Sequence, residues 1–275
     1  MCGIVGYVGK NNAQEFLLSG LKRLEYRGYD SAGVATLDQN QNPTLLRAVG
    51  KIVNLEAKIK DHYTSDHIGI GHTRWATHGN PSETNAHPHH VGSIFLVHNG
   101  IIENYKALKK ELSEKYQFKS ETDTEVLAAL IDSFYQETHD LLDSVTQALK
   151  LVSGTYGIAV MSADDTEHLV VARSGSPLVI GVGEHETLIA SDASALIGNT
   201  KNAIYLNDGE VALISRDHVE VKTLDLQPVS VKVEKILTDL SAIQKGGYDH
   251  FLLKEIMEQP DSLKETLRGR INTKE

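Results

Sequence analysis

The sequence predicts an α+β protein in which antiparallel sheets are covered by helices. Short strand-like runs occupy the first hundred residues, three helical patterns follow one another, and short turn-separated strands return after Gly154. Strands and helices that come in blocks, without strict alternation, argue against a doubly wound parallel sheet.

Ile4 to Val8 reads as a buried strand, and Phe16, Leu17, Leu18, Leu21 and Leu24 then line one side of a helix. Further strands are predicted at Ala32 to Leu37, Thr44 to Val49, His67 to Thr73 and Ser93 to His98, where Gly, Asn and Pro punctuate the chain. The helical patterns are Tyr105, Leu108, Leu112; Val126, Leu127, Leu130, Ile131, Phe134; and Leu141, Leu142, Val145, Leu149, Val152. Thr122-Asp123-Thr124-Glu125 opens the second with the pattern of a capping box. Strands are then predicted at Tyr156 to Met161, His168 to Ala172, Leu178 to Val182, Glu186 to Ile189, Ala203 to Leu206 and Glu210 to Ile214. Residues 1–240 read as one domain and 241–275 as a linker with a helical start: Lys245-Gly246-Gly247 breaks the pattern, and Tyr248 to Arg270 is predicted helical with an interruption at Pro260. The tail has too little apolar content to fold alone, and its charged end, Asn272 to Glu275, is that expected of a fragment.

At 275 residues and 40% hydrophobic content the chain can bury a sizeable core, so disorder is not expected. Its 37 acidic and 27 basic residues give a net charge of -10, with Lys and Arg scattered, which disfavours nucleic acid as a partner. One cysteine forms no internal disulfide, and neither a secretory signal nor a run of about 18 apolar residues is present. A cytoplasmic protein without membrane contact is expected.

That cysteine, Cys2, follows the initiator methionine. Removal of Met1 would place a thiol and an α-amine on one residue, and with a reference pKa near 8 roughly a tenth to a fifth of that amine is neutral at pH 7, far more than of any lysine. A cysteine chosen at random is more often a small buried apolar residue, so the case rests on its companions. The segment Gly71 to Gly79 is a polar loop holding the one tryptophan, Trp75; Arg74 offers a donor fork matched to a carboxylate, and Thr77 and His78 add donors. His98-Asn99-Gly100 closes a strand, and its Asn-Gly step suits either a turn or an oxyanion hole built from the Asn99 amide and the Gly100 N–H. Asp123 suits either the helix dipole or a substrate ammonium group. Histidines at 72, 78, 87, 89, 90 and 98 raise a metal site, but His87-Pro88-His89-His90 lacks the spacing of a helical ligand pair, so no metal and no cofactor is expected.

The segments Cys2 to Gly6, Arg23 to Gly33, His72 to Gly79, Asn85 to Pro88, His98 to Asn104 and Ser120 to Glu125 occur together and in order. Over residues 1–240 the chain closely resembles the glutaminase domain of the glutamine:fructose-6-phosphate aminotransferases (isomerizing), or glucosamine-6-phosphate synthases, within the class II glutamine amidotransferases. The versions Tyr26-Arg27-Gly28-Tyr29-Asp30-Ser31-Ala32-Gly33 and Arg74-Trp75-Ala76-Thr77-His78-Gly79 point to the hexosamine-forming branch.

The resemblance implies the N-terminal nucleophile (Ntn) hydrolase fold, a four-layer αββα arrangement of two stacked antiparallel sheets. It implies that Cys2 attacks the side-chain amide of L-glutamine through a γ-glutamyl thioester, its freed amine shuttling the proton. Asn99 and Gly100 would hold the oxyanion, Arg74 with Thr77 and His78 the α-carboxylate, and Asp123 the α-ammonium. Arg27 would lie near the nucleophile and Trp75 on a mobile loop gating ammonia. The family's two sugar-isomerase domains, which take fructose 6-phosphate, would be missing partners, and His250, Glu255 and Gln259-Pro260 resemble the linker into them. The fragment, a monomer or weak dimer, would then hydrolyse glutamine without making aminosugar. Two other readings are an amidotransferase domain serving a different acceptor, and a catalytically silent binding module if Met1 is retained.

Overall fold

Strand β1 (Gly3–Gly9) is fully buried and lies in the interior of the larger of two sheets. The computed structural model describes residues 2–76, 79–236, 248 and 250–267. It divides into two units, Met1–Ile236 and Leu237–Glu275. In the second, one helix, α6 (Phe251–Leu267), is described; it runs through Pro260, where the sequence predicted an interruption. Proline removes one backbone donor, and the helix continues on both sides of that gap. The predicted Lys245-Gly246-Gly247 break, Arg270 and the charged end lie outside the described residues.

In the first unit, helix α1 (Ala13–Leu24) follows β1, and then come β2 (Ser31–Leu37), β3 (Pro43–Val49), α2 (Ile52–Asp61) and β4 (Ile68–Arg74). Next are β5 (His89–Val91), β6 (Ile94–Ile102), α3 (Tyr105–Leu112), α4 (Asp123–Thr138) and α5 (Leu141–Lys150). The rest is strand: β7 (Gly154–Ser162), β8 (Leu169–Ser174), β9 (Val179–Val182), β10 (Glu186–Ala190), β11 (Asn202–Tyr205), β12 (Glu210–Ile214), β13 (Val219–Thr223) and β14 (Glu234–Lys235). They form an eight-stranded sheet, β14-β11-β9-β10-β1-β4-β2-β3, and a six-stranded sheet, β13-β12-β8-β7-β6-β5, whose strand pairs are antiparallel throughout.

Alternation builds four layers from these strands. Ile4 and Val8 of β1, Ile68 and Ile70 of β4, and Phe95 and Val97 of β6 join one core between the sheets. Ile94 and Leu96 point the other way, into a second core with Val126, Leu130 and Val145 of α4 and α5. On the far side of the larger sheet Leu17, Leu21 and Leu24 of α1 are fully buried, and the Tyr7 ring packs against Phe16. The order is helices, sheet, sheet, helices.

Three local readings need correction. Helix α2 was not foreseen: Ile52, Leu55 and Ile59 are a thin apolar stripe among lysines, and its first turn is capped from a distance, Ile52 N–H donating to the Tyr29 hydroxyl at 2.7 Å. The Asn99-Gly100 step does not end its strand, because β6 continues to Ile102, with Asn99 opposite Gly157 and Gly100 opposite Tyr156. Only half of the capping box forms: Thr122 Oγ1 accepts from Glu125 N–H, but the Glu125 carboxylate accepts from Lys119 and Ser120 N–H. Among the described residues no helix is long and apolar enough to cross a membrane.

Phe95 is fully buried between the sheets. Phe95→Ala should lower unfolding free energy by about 3–5 kcal/mol in a denaturant titration. A loss below about 1 kcal/mol would mean the two sheets are not tightly packed on each other there.

Candidate active site at one end of the sandwich

The alternation that buries the inter-sheet core also builds the site. Cys2 has the parity of Ile4, His72 and Arg74 that of Ile70, and Asn99 that of Val97, so each carries a polar group into the same gap where the apolar ladder ends. The register sets Ile4 opposite His72 and Gly3 opposite Thr73, which brings the start of β1 beside the end of β4. Gly3 N–H donates to Thr73 Oγ1 at 3.1 Å and Ile4 N–H to Ser191 Oγ at 3.0 Å. The residue before β1 is thereby held.

A cavity of about 300 Å³ opens there, lined by Cys2, Arg27, Arg74, Trp75, Asn99, Gly100 and Asp123 among others. These are seven of the nine residues singled out from the sequence; Thr77 and His78 lie outside the described residues. Sequence reasoning weighed His72 only as a metal ligand and missed Thr155 and Ser191 on the wall. It also missed Asp30, whose carboxylate accepts from Ala76 N–H and whose N–H donates to the Arg74 carbonyl at 2.7 Å, tying the start of the Trp75 loop. The signal was a polar residue at an inward position of an otherwise apolar strand, as at His72.

Around the thiol, Trp75 N–H donates to Cys2 Sγ at 3.1 Å. Burial pushes the Cys2 thiol above its ordinary pKa, more than the Trp75 bond and the nearby positive charges bring it down. Asn99 Nδ2 donates to the Cys2 carbonyl at 3.1 Å. Gly100 has φ of 137°, and a Cβ there would stand 2.0 Å from the Thr155 carbonyl oxygen, so this strand position admits no side chain.

The charged groups are held from behind. Arg74 is 4% exposed; its Nη2 donates to the Gly79 carbonyl at 3.2 Å, and its Nη1 lies 4.0 Å from Asp30 Oδ1. Arg27 pairs with Asp192, whose pKa is lowered because bonds from Ser194 and the Arg27 charge outweigh burial. Asp123 occupies the first turn of α4 and accepts from Ile102 N–H at 2.8 Å, which leaves its carboxylate at the helix's positive end and on the cavity wall.

Among the described residues no group of three His, Cys, Asp or Glu is arranged to hold a metal. Instead His72 and His87 stack with ring centres 4.2 Å apart, and His89 meets His87 edge-on at 4.8 Å. Burial holds His72 and His89 down to about 3 and His87 well below its ordinary value, so these rings are neutral.

A glutamine amidotransferase domain model matches residues 32–238. The chain belongs to the glutamine amidotransferase family. It is 49% identical to a glutamine–fructose-6-phosphate aminotransferase (isomerizing) of Chlorobaculum tepidum, over 100% of this chain and 46% of that protein. It is 50% identical to a protein of the same name from Bacteroides thetaiotaomicron, over 99% and 45%. The chain thus spans a little under half the length of the curated relatives it matches. The solved glutamine phosphoribosylpyrophosphate amidotransferase from B. subtilis, complexed with ADP and GMP, is 27% identical at a TM-score of 0.70, over 82% of this chain and 50% of that one. The sandwich is the Ntn-hydrolase αββα fold expected from the sequence.

In the chain bearing Met1, Cys2 alkylation by iodoacetamide should keep accelerating above the ordinary thiol range of about 8.5. A rate levelling off near pH 7 would show that the pocket stabilises the thiolate by itself.

Proposed function

We propose that this domain hydrolyses L-glutamine to glutamate and ammonia, with Cys2 as nucleophile. The observation that carries the reading is the convergence of Cys2, the Asn99 amide, Arg74 and Asp123 on one cavity of amino-acid size. The Cys2 α-amine, freed of Met1, takes the thiol proton as sulfur attacks the side-chain amide carbonyl. Asn99 Nδ2 and the Gly100 N–H stabilise the oxyanion of the tetrahedral intermediate. The amine returns the proton to the leaving nitrogen, ammonia departs, and water cleaves the γ-glutamyl thioester to release glutamate. Arg74 with Thr77 and His78 holds the substrate carboxylate and Asp123 its ammonium, while Arg27 lies near the nucleophile and the Trp75 loop closes over the substrate. The reading calls for no cofactor and assigns the reaction to the cytoplasm.

In the whole protein the ammonia passes to sugar-isomerase domains that bind fructose 6-phosphate and yield glucosamine 6-phosphate. The names and greater length of the relatives support this role. The isolated fragment acts as a monomer or weak dimer.

Glutamate release from glutamine by the isolated chain tests the reading. Cys2→Ala should abolish it, and Asn99→Ala should lower kcat by roughly 100- to 1000-fold. Unchanged turnover in Cys2→Ala removes the thiol from the mechanism; a loss below about twofold in Asn99→Ala leaves that residue a strand position only.

A further inference from the structure

His72 is 1% exposed, beside the cavity, and none of the roles above uses it. Its Nε2 lies 2.9 Å from Asn99 Oδ1, and on the other side of that amide Nδ2 lies 3.1 Å from the Cys2 carbonyl oxygen. A carbonyl only accepts hydrogen bonds, so the Asn99 atom facing it is the nitrogen. The atom facing His72 is then the oxygen, which also only accepts. His72 must therefore donate from Nε2, which puts the lone pair of the neutral ring on Nδ1.

We propose that His72 is a positioning residue that fixes which way round the Asn99 amide sits, so that N–H rather than C=O faces the reacting carbonyl. This rests on reading Asn99 as an oxyanion donor. An amide turned by half a revolution would present an oxygen to a developing oxyanion, repelling the charge it should stabilise. Only one Nδ2 hydrogen is engaged by the Cys2 carbonyl, and the other is left for substrate.

The surroundings hold His72 in this state. Its ring stacks on His87, whose Nδ1 accepts from His98 N–H at 3.3 Å, so His87 too is fixed by a main-chain donor. A Cβ on Gly33 would stand 2.3 Å from the His87 carbonyl oxygen; glycine there lets the His87 segment approach β2 and bring its ring onto His72. Burial is the main force keeping His72 uncharged, opposed by the Asn99 bond and the His98 main chain and helped by the nearby His98 ring and Arg74. A neutral ring carries a single proton, so its place on Nε2 decides the polarity of the relay. Nδ1 makes no hydrogen bond of normal geometry, although the His98 main chain acts on the ring.

The first test is nitrogen NMR of the wild-type chain labelled at histidine, the His72 signal being the one displaced by Asn99→Ala. The expected result is a proton on Nε2 throughout about pH 5 to 9. A proton on Nδ1, donated to the His98 main chain, would overturn the proposal.

The second test is kinetic. His72→Phe keeps the ring stack and removes the donor; it should lower kcat for glutamate release by roughly ten- to a hundredfold, less than loss of the oxyanion donor itself, with KM within about twofold. His72→Gln, which restores an N–H at similar reach, should recover most of that loss. In an Asn99→Ala background His72→Phe should cost nothing further, because there is no amide left to orient. An equal loss in both backgrounds would make His72 a packing residue and overturn the proposal. An unaffected Asn99→Ala would remove the oxyanion role of Asn99, whereas a crippled Asn99→Ala beside a fully active His72→Phe would overturn the positioning role alone. If His72→Phe fails to fold, the NMR result on wild type decides.

Discussion

The site depends on strand parity at one end of a two-sheet sandwich. β1, β4 and β6 each bury apolar residues at alternate positions between the sheets, and each continues the same alternation into Cys2, into His72 and Arg74, or into Asn99. A slip of one residue in β6 would turn Asn99 toward the helices and bring His98 into the gap. The register that keeps Phe95 and Val97 out of water therefore aims the amide at the Cys2 main chain, and the packing energy of the core holds the site in place.

The same placement creates an electrostatic difficulty. Half-burial under the Trp75 loop disfavours the thiolate, and the Trp75 N–H and nearby cations do not overcome this. The pocket on its own disfavours the thiolate, so the proposed attack calls for a proton acceptor. In the proposed mechanism that acceptor is the α-amine that removal of Met1 would free.

Most of the fold was legible because its strands are short, apolar and bounded by glycine, asparagine and proline, as at Ala32 to Leu37 and Glu210 to Ile214. What was not legible depended on partners distant in sequence. Helix α2 begins where the Tyr29 hydroxyl meets the Ile52 N–H, and a stripe of three buried apolar residues does not announce it. Asn99-Gly100 has turn chemistry, yet pairing with Gly157 and Tyr156 keeps it in the strand. At the site, motifs singled out Cys2, Arg74 and Asp123, and the structure brings these three to one cavity. Residues that act by holding others, such as Asp30 behind the Trp75 loop, show their role only when the tertiary structure brings the partners together.

Acid-quenched mass spectrometry of the chain during turnover reads the chemistry of Cys2 itself. A γ-glutamyl adduct should accumulate on the peptide that begins with Cys2 in molecules lacking Met1, and should be absent from molecules that retain it. Full turnover with no adduct on Cys2, or an equal adduct on both forms, would contradict a thioester mechanism driven by the amine of the same residue.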